Sequence, residues 1–252
     1  MSRRRPHSIL PWLLAAIVAA GIAQALFAPM SSSAQDASGS QLAEGRRLFE
    51  QSCASCHGPQ GEGTTSGPPL TRVGPANVDF MLSTGRMPLA QPGLQPQREP
   101  PQFTDEQIRS IVAYVGSFSM GGTEIPGVNA DSGTLPLGQQ AYENNCAACH
   151  GSAGSGDSIG GNQIAPSLDR ATAVQIAEAI RVGPGPMPRF GDTAIDQREL
   201  DSIVRYLLEL RDIPDHGGLG LTRVGPVAEG FVGVVLGLGL ILLVIRYTGT
   251  RE

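Results

Sequence analysis

Cys53-Ala54-Ser55-Cys56-His57 and Cys146-Ala147-Ala148-Cys149-His150 use all four cysteines of the chain. Each run has the Cys-x-x-Cys-His spacing of a c-type haem attachment site. Two thiols three residues apart on one helical turn can each bond a haem vinyl group, and the adjacent imidazole then lies beneath the iron as an axial ligand. The spacing therefore predicts two covalently bound haem c groups, on Cys53 and Cys56 with His57, and on Cys146 and Cys149 with His150. Two other chemistries use Cys-x-x-Cys. A structural zinc takes four ligands at one point, whereas here each pair carries its own His within a separate repeat. A thioredoxin-like redox motif follows a strand, whereas both runs here follow helix-like segments.

Working outward, the flanks repeat at an offset of 93 residues. Gly45-Arg46-Arg47-Leu48-Phe49-Glu50 precedes the first motif, and Gly138-Gln139-Gln140-Ala141-Tyr142-Glu143 precedes the second, with Gly, an aromatic and Glu in matching places. Each copy continues through a Gly-rich loop, a Pro-x-Leu step, a Met-Pro dipeptide and a closing amphipathic segment, which is the pattern of a tandem duplication. In the closing segments, Ile108, Ile111, Val112 and Val115, then Leu200, Ile203, Val204 and Leu207, recur at helical spacing. Thr104 with Gln107 and Asp196 with Glu199 have the spacing of N-terminal caps. Opening helices are predicted near 41–52 and 137–145, with a shorter helix at 173–181, so the class is all-α.

Both ends are apolar. Arg3, Arg4 and Arg5 precede an uncharged run from Ile9 to Phe27 and a small-residue stretch near Ala34. That pattern fits either a cleavable export signal or a membrane anchor. Phe231 to Ile245 is likewise uncharged and is followed by Arg246 and Arg251, as expected of a spanning helix with a cytoplasmic tail. Gly233 and Gly237 form a G-x-x-x-G face on it. The predicted order is an anchor or signal at 1–28, a linker at 29–40, haem domains at 41–116 and 137–212 joined by a Gly-rich linker at 117–136, a tether at 213–226 and a transmembrane helix at 227–246. On this reading the chain sits at the plasma membrane, its haem domains on the outer face and its C-terminus cytoplasmic. The 33 Gly and 20 Pro of its 252 residues suit small loop-rich units built around a cofactor.

Net charge is −5, and residues 28–226 carry 21 acidic and 13 basic side chains, an excess that steers towards basic docking patches and away from nucleic acid. No phosphate loop, hydrolase triad or base-reading motif is present in the sequence.

Each copy resembles a class I cytochrome c domain, in which the opening helix crosses the closing helix at a Gly and an aromatic; Gly45 with Phe49 and Gly138 with Tyr142 fit those places. The resemblance implies a methionine as second axial ligand. Met87 in Thr84-Gly85-Arg86-Met87-Pro88 and Met187 in Gly185-Pro186-Met187-Pro188 are the matches, with Met81 a rival in the first copy. It also implies that a Pro-x-Leu carbonyl accepts the second N–H of the axial histidine, at Pro68 and Leu70 and at Pro166 and Leu168. Arg86 and Arg189, beside the methionines, are candidate partners of haem propionates. Two protein ligands per iron leave no open coordination site and favour a high potential.

The whole order of segments is similar to the dihaem cytochrome c subunit of the actinobacterial menaquinol–cytochrome c reductase, the bc-type respiratory complex III. That resemblance implies an electron-transfer subunit of a proton-translocating quinol–cytochrome c reductase, with no substrate chemistry at its own haems. Electrons would pass from the Rieske iron–sulfur protein through the two haems to a terminal cytochrome c oxidase, with cytochrome b as a further neighbour. A dihaem subunit of a terminal oxidase or dehydrogenase is the alternative, and a dihaem peroxidase, which needs a displaceable ligand, is more distant.

Overall fold

The computed structural model describes residues 31–89, 96–212 and 230–249. The N-terminal apolar run and the 213–226 tether therefore lie outside the described residues. Two sets of helices follow one another, each opened by a helix that runs into a Cys-x-x-Cys-His turn. The first comprises α1 (Ser31–Ser52), α2 (Ala54–His57), α3 (Pro75–Ser83) and α4 (Asp105–Phe118). The second comprises α5 (Leu135–Asn145), α6 (Ala147–His150), α7 (Ala173–Val182) and α8 (Gln197–Asp212).

Opening and closing helices cross in each set where a side chain is missing. A Cβ built on Gly45 would overlap the Ser110 carbonyl of α4, and one on Gly138 would overlap the Ser202 carbonyl of α8. One turn further on, Phe49 and Tyr142 are fully buried. Their rings meet Tyr114 and Tyr206 of the closing helices at centroid distances of 5.4 and 5.7 Å. Residues four apart share a helix face, so the Gly admits the partner backbone and the ring fills the space beside it. The apolar stripes complete two cores: Leu48, Phe49, Leu82, Ile108, Ile111 and Val115 in the first, and Tyr142, Ile176, Ile195, Leu200, Ile203 and Val204 among others in the second.

The caps form as their spacing requires. Thr104 Oγ1 accepts from Gln107 N while Gln107 Oε1 accepts from Thr104 N, at 3.3 and 3.0 Å. Asp196 and Glu199 exchange the same pair of bonds at the start of α8, at 2.8 and 3.1 Å. A further capping box, Thr172 with Gln175, starts α7. The predicted linker is tied down at both ends. Ser119 Oγ donates to the Val73 carbonyl, and Asp201 of α8 accepts from Asn129 N and Ser132 Oγ.

Two parts of the expected fold class are corrected. The second set is not wholly helical: β1 (Asp157–Gly160) pairs antiparallel with β2 (Gln163–Ala165). The two-residue turn between them, Gly161-Asn162, has positive φ at both positions, 58° and 60°. That geometry matches the twist of a hairpin and suits Gly and Asn.

The expected C-terminal transmembrane helix is also overturned: no helix among the described residues is long and apolar enough to cross a membrane. The apolar C-terminal segment divides into a π-helical stretch, Val232–Leu238, and a ten-residue α9, Gly239–Thr248. At about 1.5 Å per residue, α9 covers roughly half of a hydrocarbon core about 30 Å thick. Gly233, Gly237 and Gly239 fall within or beside the π-helical stretch, where the missing side chains weaken the α-helical alternative.

Candidate functional site

The backbone around each histidine is laid out in the same way. Nδ1 of His57 lies 2.7 Å from the Pro68 carbonyl oxygen, and Nδ1 of His150 lies 3.0 Å from that of Pro166. A carbonyl only accepts, so Nδ1 is the donor in both rings, the arrangement that in the neutral ring leaves the Nε2 lone pair for a metal. The loops that deliver those carbonyls are pinned by paired backbone bonds. Gly63 N donates to His57 O and Leu70 N to Gly61 O in the first copy; Gly156 N donates to His150 O and Leu168 N to Gly154 O in the second. Gly63 and Gly156 have φ of 85° and 81°. A Cβ there would press on Pro69 N and on Ala165 O respectively, so both positions require Gly.

In the second copy, Cys146, Cys149, His150 and Met187 line one cleft together with Pro166 and Leu168. Its walls are mainly apolar, from Ile176, Ile180, Ile203 and Leu207 among others. Burial pushes the His150 imidazole below its ordinary value, against the Pro166 carbonyl, which favours the charged ring. The neutral ring is the form that ligates metal. Burial, and then the neighbouring Cys149 thiol, push the Cys146 thiol up to about 11.

The Met187 loop is fastened from behind by Arg181. Its guanidinium is buried and donates to the carbonyls of Ile195 and Phe190 at 2.7 and 3.2 Å, and it pairs with Asp192 at 3.0 Å. Phe190 N returns a bond to Ile180 O. Arg189 is exposed and does not line the cleft.

In the first copy, Cys53, Leu70 and Met87 each pack against the core. Burial, followed by Cys56, pushes the Cys53 thiol up to about 11, as in its counterpart. Met87 N donates to Met81 O, and the buried Thr84 hydroxyl bonds the Phe80 carbonyl, which fixes the turn before Met87. Met81, the rival methionine, lines the cleft of the second copy.

Arg86 reaches the seam between the two copies. Its guanidinium lies 4.9 Å over the Phe80 ring and lines the second copy's cleft, as does Arg98. Burial, and then the positive charge of Arg98, pull the Arg86 guanidinium below its ordinary range. Sequence patterning gave no sign of this seam. It is made by α3 against α7, where Gln175 Nε2 donates to the carbonyl and hydroxyl of Ser83, both at 3.1 Å. Arg98 Nη2 in turn donates to Gln175 Oε1 and Arg170 O at 2.9 and 2.8 Å.

Known proteins agree with this duplicated layout. The family model described as "Cytochrome C oxidase, cbb3-type, subunit III" matches twice, at residues 40–115 and 133–207. The cytochrome bc1 complex cytochrome c subunit of Mycobacterium tuberculosis is 34% identical over 253 residues, covering 95% of this chain and 90% of that one. The subunit of the same name from Corynebacterium efficiens is 32% identical over 228 residues, covering 84% and 77%. This chain belongs to the cytochrome c subunits of the actinobacterial cytochrome bc1 complex. A cbb3-type cytochrome c oxidase subunit CcoP from Azospirillum sp. is similar at 27% identity over 208 residues, 70% of this chain and 64% of that one.

Membership in the bc1 cytochrome c subunits gives the chain an electron-transfer role within an oxidoreductase complex, and its cytochrome c domains imply haem c. The two copies offer the donor set that haem c needs: paired thiols, an imidazole whose Nδ1 is held by a carbonyl, and a thioether, with an apolar wall in the second. The cleft of the second copy brings that set to one place.

Proposed function

We propose that this subunit carries two covalently bound haem c groups and relays electrons from the Rieske centre of a quinol–cytochrome c reductase towards a terminal cytochrome c oxidase. The observation that carries the reading is the convergence of Cys146, Cys149, His150 and Met187 on one apolar cleft, with the imidazole oriented by Pro166. The first copy repeats the orienting bond between His57 and Pro68. Bound haem iron supplies reversible one-electron transfer.

The protein's part is to hold and tune it. Cys53 and Cys56, then Cys146 and Cys149, form the thioether bonds. His57 and Met87, then His150 and Met187, would ligate the two irons and would leave neither open to a further ligand. Pro68 and Pro166 fix the ring tautomer through their carbonyls, and Leu70 and Leu168 hold those segments in place. Assignment of Met87 rather than Met81 rests on their placement: Met87 packs on the core with Cys53, whereas Met81 faces the second cleft.

In this reading the subunit works beside cytochrome b and the Rieske protein at the plasma membrane, with its haem domains on the outer face. Holding two carriers within one assembly replaces a diffusional encounter by a high effective concentration. The similarity to a cbb3-type oxidase subunit favours one second reading, a dihaem subunit of a terminal oxidase.

Purification in mild detergent with redox spectra separates the two. Cytochrome b and a Rieske protein co-purifying with two haem c per chain support the relay from a reductase. Co-purification with oxidase subunits alone supports the second reading. Fewer than two covalent haems per chain would defeat both.

A further inference from the structure

The cleft that holds Cys146, Cys149, His150 and Met187 is not built by the second copy alone. Phe80, Met81, Arg86, Pro96 and Arg98 of the first copy also line it. Two of these are guanidinium groups, and no Asp or Glu is found among the described residues lining the cleft. Two like charges against an apolar wall repel one another and lose hydration, an arrangement that is costly without a counter-charge. The cost shows at Arg86, whose Nη1 is buried with no hydrogen-bond partner among the described residues. Arg98 is held by Gln175 and the Arg170 carbonyl, and Gln175 is itself bonded to Ser83. The cations are therefore positioned by a bonded seam.

A ligand suited to this cleft has a flat apolar body for the Ile-rich wall and anionic groups at the edge that faces the first copy. Haem has this shape and carries two propionate carboxylates on one edge. Resting on the haem reading above, we propose that Arg86 and Arg98, both contributed by the first copy, clamp the propionates of the haem held in the second copy's cleft. The second haem site is then completed across the seam, and the first copy sets the charge environment of its neighbour's cofactor. Arg189, beside Met187 in sequence, plays no part in this clamp, because its side chain lies outside the cleft.

A guanidinium beside a propionate disfavours the ferric state, so its loss lowers the midpoint potential. Loss of the guanidinium also raises the propionate pKa, which moves the pH dependence of that potential upwards. The test uses the full-length protein in a Met87→His background, where the first haem loses its methionine band and the second is read alone. Arg98→Gln is expected to lower the midpoint potential of the methionine-ligated haem and to shift the bend in its pH profile upwards. Arg98→Lys, which keeps the charge, is expected to restore both in large part. Arg86→Gln is a second, independent variant with the same expected direction.

A potential and pH profile unchanged in both Gln variants, or a shift confined to the first haem, would overturn the clamp. A downward shift in potential with an unmoved pH profile would also overturn it, since that is the mark of loosened packing without a carboxylate partner. The parent reading fails separately: absence of two covalent haems, or of the methionine band in the unmutated protein, would show before either arginine is changed.

Discussion

Glu178 on α7 is completely buried, and its carboxyl faces that of Asp79 on α3, so the seam between the two copies contains an acid pair. Burial, and then the charge of Asp79, push Glu178 up to about 9, and Asp79 is itself raised, chiefly by burial. Glu178 is thus neutral in the folded protein at pH 7.

A pH dependence with a defined sign follows. Below the ordinary carboxyl range the group is protonated folded and unfolded, and its contribution to stability is fully present. As pH rises from that range to about 9, unfolding releases a proton, so stability falls by up to about 1.4 kcal/mol per pH unit for this one group. Glu178→Gln is expected to flatten that slope and to unfold at a higher temperature than the parent at pH 8. Thermal melts followed by circular dichroism between pH 5 and 9 check this; a parallel decline in both proteins would exclude Glu178 as its source.

The helix crossings make a sharper demand. Gly138→Ala places a methyl into the Ser202 carbonyl, and Gly45→Ala does the same to Ser110. Each is expected to destabilise by about 1–3 kcal/mol or more, as overpacking does, and to lower haem retention in its own copy. Chemical denaturation with haem quantification reads both effects. Full stability in either variant would mean that the helices can part without cost.

Met87→His and Met187→His address the axial ligands. Each is expected to remove one of two contributions to the far-red absorption band of methionine-ligated ferric haem, and the double variant to remove it all. Met81→Leu is expected to leave the band intact. A band that survives the double variant would reassign both ligands.

Caps at the closing helices predict smaller effects. Thr104→Ala and Asp196→Ala each remove a side-chain acceptor at a helix start and are expected to cost about 1 kcal/mol. Urea titration resolves a change of that size. No change would mean that water satisfies those amides equally well.

Much of this architecture can be read from the chain because it is local. The Gly-x-x-x-aromatic spacing, the caps at Thr104 and Asp196 and the apolar stripes are each contained within one helix, and the folded protein uses all of them. What was not legible depends on tertiary partners. α3 carries no strong periodic signal, although Gly74-Pro75 marks its start with a proline in the first turn. The hairpin leaves little trace in the sequence beyond the turn at Gly160-Gly161-Asn162, because its strands are only four and three residues long. Uninterrupted apolar sequence near the C-terminus suggested one long helix, but hydropathy does not distinguish α from π winding. Arg86 lies beside Met87 in sequence, yet its side chain stacks on Phe80 and lines the other copy's cleft; adjacency along a loop does not fix direction. The α3–α7 seam joins residues about ninety positions apart, beyond the reach of any local pattern.

Gln175 uses both ends of its amide at that seam, taking Arg98 and the Thr172 amide on its oxygen and giving to Ser83 from its nitrogen. Two modules joined only by a floppy string would wander, and electron tunnelling, which decays exponentially with separation, would run in bursts set by chance approach. A bonded joint removes that wandering. On the proposed two-haem reading the gap becomes a property of the folded chain, held by Gln175 together with the Arg98–Arg170 bond.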